Sequence, residues 1–268
     1  MTAIKKSDLD QVEKVIREMG HFAVSKQKGI RTRAKEDGSP VTEVDIGISN
    51  RLLSLLSTLF PEANLISEES PSVFNPEAPY SFILDPIDGT DVFSQGLPCF
   101  AIALGILDSD RRPVGAMIEA PRFGIGEEEL FLRLDPGCGL LINGEKATVE
   151  QKDEIRQVTM SSKGQRLMDF SAFNGKVRTF GSTILHLVAP LVCSGIAASI
   201  SAPCYVWDFA AAHAVLLASG YDIKYTNLTP LIYDDDLLKD RKMLKGFLYS
   251  GTEKGIETLS RVLPVRRA

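Results

Sequence analysis

The hexapeptide Asp85-Pro86-Ile87-Asp88-Gly89-Thr90 sets two carboxylates three residues apart, directly after the apolar run Phe82-Ile83-Leu84. Such a run reads as a buried strand, so both aspartates fall at its end, around a proline turn, where they can converge on one point. Gly89 lets the backbone approach a ligand closely, and the amides of Gly89 and Thr90 can face an anion. Taken alone, the hexapeptide describes a surface turn braced by aspartates. Two further acidic segments shift that balance. Ile66-Ser67-Glu68-Glu69-Ser70 carries carboxylates off the end of another short apolar run, and Trp207-Asp208 opens a strongly apolar stretch, Phe209 to Leu217. Singly, these are a solvated loop and a helix cap or dipole partner. Together, Glu68, Asp85, Asp88 and Asp208 supply the hard oxygen donors that Mg²⁺ prefers. Nothing has the His/Cys spacing of a zinc site. The three histidines, His21, His186 and His213, fall in helical patterns and read as structural.

The elements that must position these carboxylates are visible as periodicities. Ser7 is placed to cap a first helix bearing Val12, Val15, Ile16 and Met19 on one face. Lys26 to Pro40 is rich in Lys, Arg and Gly and reads as a loop or irregular hairpin. Thr42 opens a second helix with Val44, Ile48, Leu52, Leu55, Leu56 and Leu59 at helical spacing, and Pro61 follows its end. Strands are expected at Asn64–Ser67, Ser81–Leu84, Phe100–Leu107, Val114–Ala120 and Glu129–Leu134, with turns at Asp108–Asp110, Pro121–Gly126 and Asn143–Gly144. Beyond residue 150 the pattern alternates. Strands are expected at Val158–Ser161, Val177–Phe180, Ile196–Ser201 and near Phe247–Tyr249. Helices are expected after Gly164 and at Thr183–Cys193, Trp207–Ser219 and Thr252–Val262. The expected division is an N-terminal α+β half, 1–150, carrying most of the carboxylates, and a C-terminal α/β half, 151–268, carrying Asp208 and the leaving-group pocket.

Composition narrows the class of partner. With 44% hydrophobic and 24% charged residues the chain is an ordinary globular protein, long enough at 268 residues for a large core. A net charge of −5 does not favour nucleic acid, whereas a small phosphorylated metabolite remains compatible, because a bound cation reverses the local field. Met1 to Asp10 is polar and lacks the apolar core of a signal peptide, and no run approaches the ~18 apolar residues of a membrane span. The scattered cysteines, Cys99, Cys138, Cys193 and Cys204, read as reduced and mostly buried. A cytoplasmic location with no membrane partner is the expectation.

The motifs Ser39-Pro40-Val41-Thr42 with Asp45, Glu68-Glu69-Ser70, Asp85 to Thr90 with Phe93, Gly181-Ser182-Thr183, and Trp207-Asp208 with its Ala-rich helix occur in one order across residues 7 to 262. In this the chain resembles the inositol monophosphatase superfamily of Mg²⁺-dependent, lithium-sensitive phosphatases. The resemblance implies the α/β (α+β) fold of that family and of the fructose-1,6-bisphosphatases, a five-layer αβαβα sandwich, usually homodimeric. It also implies roles. Glu68, Asp85 and the carbonyl of Ile87 hold one Mg²⁺; Asp85, Asp88 and Asp208 hold a second; a third uses Glu68 and water. Thr90 and Asp45 orient or deprotonate the attacking water, with Glu68 counted beside them as catalytic. Gly89, Thr90, Gly181, Ser182, Thr183 and Asp208 bind phosphate or substrate.

The implied reaction is hydrolysis of a small phosphate monoester, an inositol or sugar phosphate, by metal-activated water. A threonine hydroxyl is a poor base, so Thr90 acts as a relay and Asp45 accepts the proton. Neither residue is expected to anchor the core. The substrate pocket departs from the pattern. Ser201 stands where the inositol enzymes commonly carry an acid, Asp91 stands where nucleotidases often carry lysine, and Gly220-Tyr221 replaces a Gly-Gly pair. Ala211 to Val215 and Pro230 to Tyr233 look nucleotidase-like, so a 3′(2′),5′-bisphosphate nucleotidase is the alternative. A catalytically inactive ligand-binding relative is the third reading.

Overall fold

A computed structural model of the chain describes residues 4–35, 38, 40–124 and 129–266. Ser39 of the first motif and Gly126 of an expected turn lie outside the described residues. In chain order the elements begin with α1 (Lys6–Lys26), a small hairpin of β1 (Arg33–Ala34) and β2 (Pro40–Val41), and α2 (Glu43–Leu59). Next come β3 (Asn64–Ser67), β4 (Tyr80–Asp88), α3 (Thr90–Ser94), β5 (Ala101–Asp108), β6 (Pro113–Ala120), β7 (Leu130–Leu134), β8 (Leu141–Ile142) and β9 (Glu145–Lys146). The remainder is β10 (Gln157–Met160), α4 (Ser162–Leu167), β11 (Lys176–Arg178), α5 (Thr183–Val192) and β12 (Ala198–Ser201). A 3₁₀ turn (Val206–Asp208) leads into α6 (Ala210–Ala218), β13 (Asp222–Tyr225), α7 (Asp235–Leu238), β14 (Leu248–Gly251) and α8 (Glu253–Val262).

Two sheets organise these elements. One has seven strands in the order β3-β4-β5-β6-β7-β8-β9, the other five in the order β11-β10-β12-β14-β13. Helices α1 and α2 cover the outer face of the larger sheet, α5 and α6 fill the space between the sheets, and α8 packs on the far side of the smaller one. The result is the five-layer αβαβα sandwich. Both faces of the larger sheet are therefore covered, which is why β4 and β5 are buried along nearly their whole length and read as continuous apolar runs rather than alternating ones. Gly105 of β5 lets the Ala-rich helix sit directly on the sheet: a Cβ there would fall 2.8 Å from the Ala211 nitrogen.

The register of β4 against β5 positions the two aspartates. Asp85 pairs with Ala103 and Asp88 with Ala101, so three steps on β4 match two on β5. In an unbroken strand residues three apart face opposite sides; the bulge at Pro86-Ile87 returns both carboxylates to one side.

Several expectations shift. Lys5, not Ser7, precedes α1, and it makes no side-chain cap. Helix α4 starts before Gly164, whose amide is held by the Ser161 hydroxyl at 3.3 Å. Strand β13 and helix α7, each only four residues long, lack enough periodicity to stand out in the sequence. Cys204 alone among the cysteines is buried; Cys99 and Cys193 are partly exposed and Cys138 is exposed, all four as free thiols. No helix among the described residues is long and apolar enough to cross a membrane.

Candidate metal centre

Three carboxylates from two separated segments meet at the C-terminal end of β4. Asp85, Asp88 and Asp208 each place one oxygen within 4.8 Å of the others. Asp85 is buried, and its Oδ1 has no hydrogen-bond partner among the described residues. Burial raises Asp85 well above the usual carboxylate range, and the charges of Glu68, Asp88 and Asp208 raise it further. Asp208 is raised by burial and then by Asp88 and Glu68. A buried cluster of like charges with an orphaned oxygen is costly unless protons or a cation neutralise it. The all-oxygen donor set suits a hard divalent cation.

Asp88 is the most firmly held of the three. It accepts the Ser182 hydroxyl and the backbone amides of Thr183, at 3.1 Å, and Ile184, at 2.7 Å. Burial still pushes its carboxyl up to about 6 against those bonds. Ser182 and Thr183, expected from the resemblance to meet substrate, here spend a hydroxyl and an amide on Asp88. Gly181, with φ +98°, packs against Val92 and sets the approach of this turn. Asp208 lies in the 3₁₀ turn, not at the cap of α6, and its carboxylate accepts the Tyr205 amide at 2.6 Å.

Thr90 and Asp45 form a pair beside this cluster. The Thr90 hydroxyl lies 2.9 Å from Asp45 Oδ1 and 2.9 Å from the Ile87 carbonyl, so it can donate to either acceptor. Gly89 precedes Thr90 with φ +90°, a left-handed conformation that opens the short helix α3. The second oxygen of Asp45 accepts the Thr42 amide and hydroxyl in a capping box at the start of α2. Burial raises Asp45 against these bonds, a shift toward a better proton acceptor.

Glu68 stands at the edge of the cluster. Its carboxylate is paired with the Lys35 ammonium at 2.5 Å, and Glu69 shares the same ammonium at 2.6 Å. Arg241 holds the backbone of this acidic segment from the other half of the chain. Its guanidinium donates to the carbonyls of Ser70 at 2.8 Å, Ser67 at 2.6 Å and Glu68 at 3.1 Å, and lies 5.1 Å from the Trp207 ring. Neither Lys35 nor Arg241 carries a sequence signal beyond its charge.

The histidines have local work. Burial drops His186 to about 4, and its neutral ring accepts the Phe180 amide at 2.7 Å. His213 bridges the Tyr233 hydroxyl and Asp222. His21 is exposed and meets Glu129 at 3.3 Å.

The profile of the inositol monophosphatase family matches residues 3–254. The chain belongs to the inositol monophosphatase family. Among its relatives, a Nus factor SuhB from Pasteurella multocida (strain Pm70) is 26% identical over 204 residues, 71% of this chain and 73% of that protein. A 3′(2′),5′-bisphosphate nucleotidase CysQ from Haemophilus influenzae is 25% identical over 255 residues, 87% of this chain and 90% of that one. The solved structure of an IMPase/NADP phosphatase complexed with Mg²⁺ and phosphate superimposes with a TM-score of 0.74 at 19% identity, covering 95% of each chain. That likeness is one of fold. Within the inositol monophosphatase fold, the Asp85–Asp88–Asp208 cluster of this chain can hold a metal ion.

Proposed function

We propose that this chain is a Mg²⁺-dependent phosphatase that hydrolyses a small phosphate monoester, an inositol monophosphate or a sugar phosphate, by direct attack of water. The observation that carries the reading is the convergence of Asp85, Asp88 and Asp208 within 4.8 Å of one another, beside the Thr90–Asp45 pair. Glu68, Asp85, the Ile87 carbonyl, Asp88 and Asp208 are the residues that would hold two to three ions. Bound Mg²⁺ supplies positive charge against the phosphate and acidifies a water. The chain's own residues do the rest. Thr90 orients the water and passes a proton to Asp45, whose burial favours the protonated form. Water oxygen bonds to phosphorus, the ester oxygen leaves and takes up a proton, and the products are an alcohol and inorganic phosphate. The amides of Gly89 and Thr90, at the left-handed turn that opens α3, face the anion in this reading. Asp88, braced by Ser182 and Thr183, stays fixed while charge shifts around it.

A bisphosphate nucleotidase is the second reading. The CysQ relative spans 87% of the chain, and the two nucleotidase-like stretches meet through the 3.1 Å contact of His213 and Tyr233. The deciding experiment is phosphate release from inositol monophosphate, sugar phosphates, histidinol phosphate and adenosine 3′,5′-bisphosphate, with Mg²⁺ and with a chelator. Turnover that a chelator abolishes and Mg²⁺ restores supports a phosphatase, and the preferred compound separates the two readings. No turnover of any compound in saturating Mg²⁺ leaves the inactive ligand-binding relative as the account.

A further inference from the structure

Residues 26–33 hold four cations, Lys26, Lys28, Arg31 and Arg33, and no carboxylate, in a chain of net charge −5. All four are exposed, and they line one cavity of about 650 Å³ between the end of α1, the β1–β2 hairpin and the start of α2. Lys28, Arg31 and Arg33 make no ion pair or side-chain hydrogen bond among the described residues. This is unusual in a protein whose acids outnumber its bases by 35 to 30, and where Lys35, two residues past Arg33, is paired twice. Among the described residues, Glu43 is the one carboxylate lining the cavity.

The cavity is built rather than incidental. Its root is fixed by buried Gln27, whose amide donates to the carbonyls of Phe93 at 3.0 Å and Leu97 at 2.8 Å, and whose oxygen accepts Arg122 at 2.5 Å. Gly29 turns the chain with φ +77°, and Arg33 is set in register opposite Val41. The lining is also partly apolar: Val41 and Ile46 contribute, and Ile46 is 46% exposed despite its size. Guanidinium groups match phosphoryl oxygens with paired N–H donors, and an ammonium adds charge. The volume suits a small organic ligand. None of Glu68, Asp85, Asp88 and Asp208 lines this space.

We propose that this hairpin cavity is a second phosphoryl-binding site, separate from the carboxylate centre, taking the phosphoryl group of a free inorganic or a small organic phosphate. Its connection to the centre is covalent and short. Thr42 lines the cavity and also holds Asp45, while Arg33 and Lys35 lie on one hairpin strand and its exit. The site does not depend on the phosphatase reading, because the carboxylate centre without a cation repels anions.

The test uses the full chain in a chelator, so that no metal-bridged phosphate forms. Calorimetric titration with pyrophosphate and with a nucleoside 5′-diphosphate is compared for the wild type and for Arg31→Gln/Arg33→Gln. Binding that weakens as salt rises, and that the double variant lowers by ~10-fold or more, the scale of one lost charge-assisted hydrogen bond, supports the site. The double variant should keep its thermal midpoint and its monoester turnover in Mg²⁺. Tighter binding of the nucleoside diphosphate assigns the site to organic phosphates through its apolar lining, and equal binding assigns it to the phosphoryl group alone. No binding of either probe, or binding that the double variant leaves unchanged, overturns the proposal.

Discussion

The ammonium of Lys35 lies 2.5 Å from a carboxylate oxygen of Glu68, so a built-in cation already sits against one of the expected metal ligands. Burial pushes Glu68 up to about 7, and Lys35 opposes that rise. Burial alone would lower Lys35, yet Glu68 and Glu69 outweigh it and raise the ammonium above its ordinary value. A divalent ion that binds Glu68 must displace or share this partner.

Replacing Lys35 by Met therefore favours the metal. Loss of the lysine also raises Glu68 further, so the comparison is made across rising pH. Where the carboxylate is ionised, Lys35→Met should bind Mg²⁺ up to ~10-fold more tightly, one competing charge-assisted bond having been removed. Calorimetry on metal-free protein reads this directly. Affinity equal to or below the wild type would show that Lys35 does not compete for the site.

Thr90→Ala removes the hydroxyl that the proposed relay sets between water and Asp45, and should lower kcat by about 10²-fold, the scale of lost general-base help. Its effect on stability should be small. Asp45→Asn is a less clean probe than the sequence suggests, because Asp45 is fully buried and closes the capping box with Thr42. An amide can keep its oxygen on the Thr42 N–H, but its nitrogen then faces the Thr90 hydroxyl, which loses an acceptor, so a loss of about 1 kcal/mol of stability should accompany the loss of turnover. Normal kcat in Thr90→Ala would remove the relay from the mechanism.

How much of this could be read beforehand depends on the range of each interaction. The strand of Phe82 to Leu84 and the start of α2 at Thr42 are local patterns, and both stand in the sequence. The bulge at Pro86-Ile87 is a register between strands, so the hexapeptide shows the two aspartates but not why they face one side. The partners of Glu68 lie 33 residues away, at Lys35, and 173 away, at Arg241. Nothing in a lysine-rich loop or a lone arginine marks those pairings. Ser182 reaches Asp88 across 94 residues, a contact that the motif Gly181-Ser182-Thr183 does not announce.

Glu119 offers a pH test outside the site. It is fully buried on β6, neither carboxylate oxygen has a hydrogen-bond partner among the described residues, and burial followed by the charge of Glu129 pushes it up to about 8. The folded chain keeps this proton to about 8, whereas the unfolded chain loses it near 4.5. Between those values the unfolded state binds fewer protons, so stability falls as pH rises through that window and levels off above it. Glu119→Gln carries no titrating proton and should escape the fall. Urea unfolding should show the variant ahead by a few kcal/mol at most near pH 9 and by much less near pH 5. A gap independent of pH would mean that Glu119 is already ionised in the fold.

Arg241 joins the two halves of the site, and its substitution separates positioning from packing. Its backbone has φ +52°, its guanidinium holds three carbonyls of the segment bearing Glu68, and it lies near the ring of Trp207, the neighbour of Asp208. Its Nε is buried without a partner among the described residues, and burial lowers its pKa while Glu68 and Glu69 oppose that. A buried fork of this kind persists where its geometry is needed, since an ammonium supplies charge but not the paired N–H groups. Arg241→Lys should therefore keep the local charge and lose the register of Glu68. The Mg²⁺ concentration for half-maximal turnover should rise ~10-fold or more, the equivalent of one charge-assisted hydrogen bond, while kcat at saturating Mg²⁺ changes much less. Calorimetric Mg²⁺ affinity should fall in step. A lowered thermal midpoint with unchanged Mg²⁺ dependence would instead make Arg241 a packing residue, because disrupted packing alone has no reason to act through the metal.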